Sequence, residues 1–557
     1  ESENNVELLQ RKLTLQKFKP HVLLFVADDV GWAGLGAHRT AENSAEAQGK
    51  AETQTPILDN LIRDGVLLER HYAASNSVPS RCSLISGRLP RDFPVAPRGM
   101  SNPATYWNPE DNVSGFYGIP RNMTGIGSKL KQAGYATHYV GKWAAGHATP
   151  EQTPFGRGFD SFLGFVGSEN DYWTKQSDLE EFIADPCLHK FQDFSFYNAT
   201  YRGGVADTIA AELGCEERVK GKSFDKDGCH EEDPNDCLPE SCYEESMLLE
   251  YAARLIQNHD SSKPLFLTYA SHEVHLPLEI TTSALKWEEQ ADAQKERKLP
   301  WTKARRVMAA SLAFMDSAMG RLIDTLKARS MFEDTLVIFI SDNGASLQLT
   351  AGINGRLDVL HLSANAVLKW PYKLVTGQQG DSFWPGPVFP NCSSDGPDGA
   401  FVDVYTHMIP IDPPDRNMLE DCGNGCLFDV EVDPSERRDL SSNEAYAAVL
   451  SSLQKELKSL NSKTFAADIG ESHLEACLQA FQLGGFVGPF VDVGDFYTAR
   501  FPGVEELETY RQELMDLHKN LTDPDFVNRT AEALKERVLS QRSTMGSECL
   551  EEGRLDH

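Results

Sequence analysis

No stretch of this 557-residue chain approaches the roughly 18 consecutive apolar residues that carry a helix across a bilayer, so a soluble protein without a transmembrane segment is expected. Positive charge is scarce as well: 53 Lys and Arg stand against 83 Asp and Glu, a formal net charge of −30. A phosphate backbone rewards a basic face, so the balance excludes nucleic acid as a partner while leaving room for a local basic pocket. The 11 cysteines form no Cys-x-x-Cys pair. They lie in acidic loops punctuated by proline and glycine, which argues against zinc and for disulfides made in an oxidising compartment. Neither an initiator Met nor a leader pattern opens the chain at Glu1, which fits a processed or trimmed secretory product.

What is present points the same way. Asn-x-Ser/Thr acceptor sequences begin at Asn112, Asn122, Asn198, Asn391, Asn520 and Asn528, marking expected glycosylation sites. With the cysteines they imply secretion or residence in the lysosomal or endomembrane lumen. At roughly 150 residues per domain the length corresponds to about three to four domains' worth of chain, with a single large α/β domain of two hundred-plus residues also allowed. A hydrophobic content of 40% excludes a disordered chain.

Residues His21 to Ala27 (HVLLFVA) form a continuous apolar run, as expected of a strand buried on both faces of a parallel sheet. Thr55-Pro56 supplies cap and first-turn proline for a helix with Ile57, Leu58, Leu61 and Ile62 on its apolar face, stopped by Gly65. A second helix is expected after Pro79-Ser80, ending near Gly87. A long amphipathic helix spans 303–329 and leads into the buried strand 335–340. Alternating strands and helices predict an α/β fold, a large mostly parallel sheet flanked by helices over 1–345. Short strands and turns predict a smaller antiparallel subdomain over 346–440, and 441–557 reads as a helical extension. Within it, Val504, Leu507, Tyr510, Leu514 and Leu517 have the spacing of an amphipathic helix, which packs on the core or on a protein partner.

Both acidic pairs, Asp28-Asp29 and Asp342-Asn343, follow buried strands, where α/β sheets bind ligands. Together they offer four oxygen donors, the hard set that suits Ca²⁺ first and Mg²⁺ second. Either pair alone would read as a strand-ending turn.

Four separated motifs then agree: VADDVGW (26–32); TPILDNL (55–61) with SVPSRCSLISGR (77–88); GKW (141–143) with RGFDSFLGFVGSEN (157–170); and KPLFLTYASHEVHLPLE (263–279) leading to ISDNGAS (340–346). On these residues the chain resembles the sulfatase family, arylsulfatase B type, within the alkaline-phosphatase-like superfamily. LFDVEVDPSERRDL (427–440) is similar to the close of that family's small C-terminal domain. The resemblance implies a divalent ion on Asp28, Asp29, Asp342 and Asn343. It also implies hydrolysis of a sulfate ester, aryl or carbohydrate, with Arg81 and Lys142 clamping the anion and His275 contacting sulfate and protonating the leaving oxygen. His272, three residues earlier, matches no position of the pattern.

The chain departs from that pattern at three places. The family cysteine that matures to formylglycine opens Cys-x-Pro-Ser-Arg, and here Ser77 holds that position. A formylglycine hydrate has two hydroxyls, one to attack sulfur and one whose deprotonation expels sulfate. A serine has only the first and would stop at a sulfated dead end. Cys82 does not restore the motif, because Leu84 stands where proline is required, and it reads as a disulfide or packed thiol. Secondly, Gly-Lys-Trp-His-x-Gly becomes Gly141-Lys142-Trp143-Ala144-Ala145-Gly146. Loss of a positioned base costs ~10²- to 10⁴-fold in rate. His147 would replace it only through a rerouted loop. Thirdly, only about twenty residues separate Gly344 from NAVLKWPYKLVTG, where the family has a longer segment with a second sulfate-binding lysine; Arg356 is the stand-in available.

Three readings follow. The first is a sulfatase-fold glycoprotein of lost or impaired turnover that keeps a metal and anion site. The second is an active sulfuric ester hydrolase with Ser77 matured to formylglycine. The third is a phosphoesterase using Ser77 as nucleophile, against which the Asp342-Asn343-Gly344 strand end carries no histidine ligands for a two-zinc site.

Overall fold

The computed structural model describes residues 19–38, 55–93, 105–177, 191–198, 202–215, 229–285, 303–344, 360–377, 422–462 and 467–491, apart from scattered positions within those spans. Asn391, Asn520, Asn528, Arg356 and the 504–517 stretch lie outside them.

A seven-stranded sheet forms the centre. Its strands are β1 (His21–Ala27), β2 (Ala136–Gly141), β3 (Ser161–Gly164), β4 (Ser195–Tyr197), β5 (Arg202–Gly204), β6 (Leu265–Ala270) and β7 (Thr335–Ser341). They lie in the order β7-β1-β6-β2-β3-β4-β5. The first five in that order are parallel, and β4 and β5 close the far side antiparallel. β1 covers the predicted run from His21 to Ala27, and its alternate residues feed two cores. Leu23 and Phe25 pack with α1 (Pro56–Asp64), α4 (Glu244–Gln257) and α5 (Lys303–Ala328). Leu24 and Val26 face α2 (Ser77–Ser86) and α3 (Ile126–Gln132). Burial on both faces explains why β1 needs no polar alternation.

α2 begins at Ser77, four residues before the start expected after Pro79-Ser80. Asn76 Oδ1 accepts from the Val78 amide at 3.2 Å, and Pro79 falls in the first turn, where its missing N–H is not needed. α1 has its expected span, but Thr55 does not cap it with its side chain. The free amides of Ile57 and Leu58 donate instead to Asp316 on α5, at 3.0 and 2.8 Å.

A second, antiparallel sheet contains β8 (Leu360–Ser363), β9 (Ala366–Lys369), β10 (Tyr372–Val375) and β11 (Cys426–Asp429), in that order. The helix α6 (Ala447–Asn461) covers it, with Leu453 and Leu457 packing on Val367, Leu374 and Leu427. The chain then returns to the large domain, where Glu471–Ser472 pair with Tyr106–Trp107. Disulfides join Cys215 to Cys242 and Cys422 to Cys426. Cys82 is a buried free thiol, which burial pushes up to about 12. No helix among the described residues is long and apolar enough to cross a membrane.

Candidate active site

Because β1 and β7 are parallel neighbours with Ala27 opposite Ser341, the residues that follow each strand emerge side by side. Asp28, Asp29 and Asp342 bring one carboxylate oxygen each to within 4.8 Å of one another. Asp29 does so from a left-handed backbone at φ 58°, a conformation that aspartate tolerates better than most residues. Its amide donates to Asp342 Oδ1 at 3.2 Å, and Asn343 Nδ2 donates to Asp29 Oδ1. Burial and the neighbouring Asp28 push Asp342 above the usual carboxylate range, against the pull of Arg81 and Lys142. Like charges crowded in this way with an amide oxygen alongside fit a hard divalent cation.

Ser77 stands over this cluster at the first turn of α2, the positive end of the helix dipole. Its Oγ donates to Asn343 Oδ1 at 3.1 Å and lies 3.5 Å from Asp28 Oδ1. Lys142 Nζ reaches Ser77 Oγ at 3.5 Å and Asp28 Oδ2 at 2.6 Å, and its side chain is fully buried. Arg81, one turn along α2 from Ser77, donates from Nε to Asp342 Oδ2 at 2.8 Å and from Nη1 to the Lys142 carbonyl at 2.9 Å. Its Nη2 is buried, with only a 3.5 Å approach to Asp28. Burial alone would lower the Arg81 pKa, but Asp342 and Asp28 hold it above its ordinary value. Lys142 can enter so deeply because Gly141 precedes it: at φ 106° a Cβ there would sit 1.8 Å from the Ala270 carbonyl oxygen.

His275 follows β6 and is half-buried. Its Nδ1 lies 2.8 Å from the Leu276 carbonyl oxygen, which orients the ring. Burial and Lys142 lower its pKa, yet Asp28, Asp29 and Glu169 outweigh them and leave it raised. All eight residues expected from the sequence, Asp28, Asp29, Ser77, Arg81, Lys142, His275, Asp342 and Asn343, therefore belong to one neighbourhood. Ala144 is buried, with its methyl in the apolar cluster of Val78, Trp143 and Phe162. His147 packs edge-on to Phe490, ring centroids 6.5 Å apart, and is not among the described partners of Ser77.

Sequence reasoning missed His272 and Glu244. A ring nitrogen of His272 and one of His275 lie with an Asp28 oxygen inside 4.8 Å. His272 Nδ1 pairs with Glu244 Oε1 at 3.1 Å across from α4. The one available signal was His-Glu-Val-His directly after a buried strand. Of the glycosylation candidates, Asn112 and Asn122 are exposed and Asn198 is half-buried.

Comparison with known proteins agrees with this geometry. The Sulfatase family model matches residues 20–373. Mouse (Mus musculus) arylsulfatase J is 26% identical over 336 residues, 60% of this chain and 44% of that protein. Arylsulfatase G of Rattus norvegicus is 28% identical over 388 residues, covering 68% and 62%. Human (Homo sapiens) N-acetylgalactosamine-6-sulfatase is 25% identical over 331 residues, covering 59% and 50%. The chain thus spans about half the length of the curated relatives it matches. The crystal structure of PsFucS1 sulfatase from Pseudoalteromonas sp. superimposes with a TM-score of 0.51 at 17% identity, over 84% of this chain and 95% of that one. The alkaline-phosphatase-like sheet, the motifs at its strand ends and a family match over more than half the sequence make the chain a member of the Sulfatase family.

Proposed function

We propose that this chain is a sulfatase-fold, secreted or lumenal glycoprotein that binds a sulfate ester, aryl or carbohydrate, at its metal site with lost or severely impaired turnover. The observation that carries the reading is the combination of Ser77 with Ala144: Lys142 Nζ reaches Ser77 Oγ at 3.5 Å, while a methyl stands where the family places its base.

The chain's own residues account for binding. Lys142 and Arg81 are fixed, buried cations, and the first turn of α2 adds the positive end of its dipole, so a sulfate oxygen near Ser77 would meet positive charge with little reorganisation. A divalent ion on Asp28, Asp29, Asp342 and Asn343 would polarise the sulfate oxygens and lower the pKa of an adjacent hydroxyl. His275, held above its usual pKa, is the group able to carry a proton to the leaving oxygen. The missing function is removal of the proton from the Ser77 hydroxyl. Lys142 faces that oxygen as a cation paired with Asp28, and Ala144 accepts nothing. The names of the arylsulfatase and N-acetylgalactosamine-6-sulfatase relatives support a sulfate ester, and the disulfides Cys215–Cys242 and Cys422–Cys426 support an oxidising compartment.

The test combines peptide mass with turnover on the purified full chain. The tryptic peptide His71–Arg81 should carry unmodified serine. Calcium-loaded protein should bind an aryl sulfate or a sulfated monosaccharide by calorimetry without steady sulfate release. Ser77→Cys combined with Ala144→His, produced where formylglycine maturation operates, should gain release over Ser77→Cys alone by ~10²-fold or more. A formylglycine mass at Ser77, or sustained release by the unaltered chain, would establish the active-hydrolase reading instead.

A further inference from the structure

We propose that Asp28, His272 and His275 form a second cation site, selective for a borderline transition ion of the Zn²⁺ type, sharing Asp28 with the all-oxygen cluster. The claim concerns metal content and stands whether or not a sulfate ester binds. A His275 with Nδ1 on the Leu276 carbonyl and Nε2 on the metal has no nitrogen left to carry a proton to a leaving oxygen, so zinc occupancy and that role exclude each other.

The donor atoms are already gathered: one nitrogen from each imidazole and one Asp28 oxygen lie within 4.8 Å of one another. The rings themselves are 5.6 Å apart between centroids. Each ring has its Nδ1 engaged, His272 by Glu244 Oε1 at 3.1 Å and His275 by the Leu276 carbonyl at 2.8 Å. With Nδ1–H as the donor in both, Nε2 of each keeps its lone pair, as in the carboxylate–histidine–metal arrangement.

A second observation is independent of that clustering. His272 is fully buried, and its Nε2 has no hydrogen-bond partner among the described residues. Buried ring nitrogens are ordinarily satisfied, so an orphan beside a carboxylate and a second imidazole marks a missing ligand. The ring cannot swing away to find another partner. It stacks on Tyr172, centroids 4.1 Å apart at 17°, and lies against Phe165 at 4.7 Å. Its amide donates to Glu245 Oε1 at 2.5 Å. The Tyr172 hydroxyl donates to the carbonyls of both His272 and His275, at 2.7 and 3.0 Å, which ties the loop down. Glu244 in turn accepts from Asn170 Nδ2 at 2.7 Å.

Donor type decides which ion. Carboxylates and an amide oxygen favour Ca²⁺ or Mg²⁺, whereas two imidazoles and one carboxylate with an open fourth position match the zinc pattern. Lys142 Nζ on Asp28 Oδ2 is the opposing charge, with Arg81 behind it. Asp29 and Asp342 offset these two cations. The histidines come from the end of β6, which is why the Asp342-Asn343-Gly344 strand end alone gave no sign of them.

The experiment is metal counting on the full chain, stripped with chelator, saturated with Ca²⁺ and titrated with Zn²⁺ or with Co²⁺ as a spectroscopic substitute. The expected result is one calcium and one zinc bound together, with visible Co²⁺ absorption of imidazole-ligated character. His272→Ala should lose the zinc and keep the calcium. Glu244→Gln, which retains ring and packing, should weaken zinc by about 10- to 100-fold. Asn343→Ala should weaken calcium and leave the zinc. Zinc that only displaces calcium, or that binds His272→Ala and Glu244→Gln as tightly as the unaltered chain, overturns the proposal. Loss of sulfate-ester binding with both metals retained would count against the proposed function and not against this site.

Discussion

At Ala144 the backbone adopts φ 45°, a left-handed conformation from which an alanine gains nothing and in which histidine is several-fold enriched. A histidine at 144 would therefore fit the backbone as it stands, so Ala144→His should not require the loop after Lys142 to change shape. His147, three residues on, has a different role. Burial drives its pKa from 6.5 down to about 4, and it packs on Phe490 as a neutral ring. A depressed pKa means that the unfolded chain takes up the proton first as pH falls. The stability His147 contributes is thus complete above about pH 6.5 and is lost as pH drops through about 4. By pH 5 the loss should be roughly 2 kcal/mol. His147→Leu should therefore show a smaller fall in Tm between pH 7 and pH 5 than the unaltered chain, measured by thermal denaturation; parallel curves would assign the acid sensitivity elsewhere.

Among the elements, α1 illustrates what a sequence does and does not disclose. Its span and apolar face were readable from Thr55-Pro56 and the spacing of Ile57, Leu58, Leu61 and Ile62, because those signals are local. Its cap was not, since Asp316 lies 259 residues from Ile57 and meets it only once α5 packs alongside. Asp316→Ala should cost about 1–2 kcal/mol in denaturant unfolding, with an unchanged m-value, whereas Asp316→Asn, which keeps one acceptor, should cost less. The same distinction holds at the site. Asp28 and Asp342 were readable because each ends an apolar strand, although only β1 is buried as expected: β7 lies at the sheet edge among the described residues, with Leu336 and Ile338 exposed. Ser77, Arg81, Lys142 and His275 were readable because motifs carry them. Pro79-Ser80 misplaced the start of α2, since a proline in the first turn also follows a cap such as Asn76. The His272–Glu244 pair was hidden because its partners sit on β6's outgoing loop and on α4, and no local pattern links them.

For the whole molecule, a formal charge of −30 opposes any anion arriving at Ser77 unless the charge within the site is reversed locally. Arg81 and Lys142 supply part of that reversal but are themselves tied to Asp342 and Asp28. A cation on Asp28, Asp29, Asp342 and Asn343 would complete it, and in doing so would clamp the loops after β1 and β7 to each other beneath α2. Folding and metal binding are then linked: an ion that binds only the native carboxylate cluster stabilises the fold by about 2.7 kcal/mol at a concentration one hundred times its Kd. Adding Ca²⁺ to chelator-stripped protein should raise Tm by a few degrees, and the gain should shrink on acidification as the carboxylates take up protons. Asp342→Asn should abolish most of the calcium response while leaving a folded protein, because the amide can still accept from Arg81 Nε. A Tm indifferent to Ca²⁺ and to chelator, or an Asp342→Asn variant that responds as strongly as the unaltered chain, would show that these carboxylates are held together without an ion.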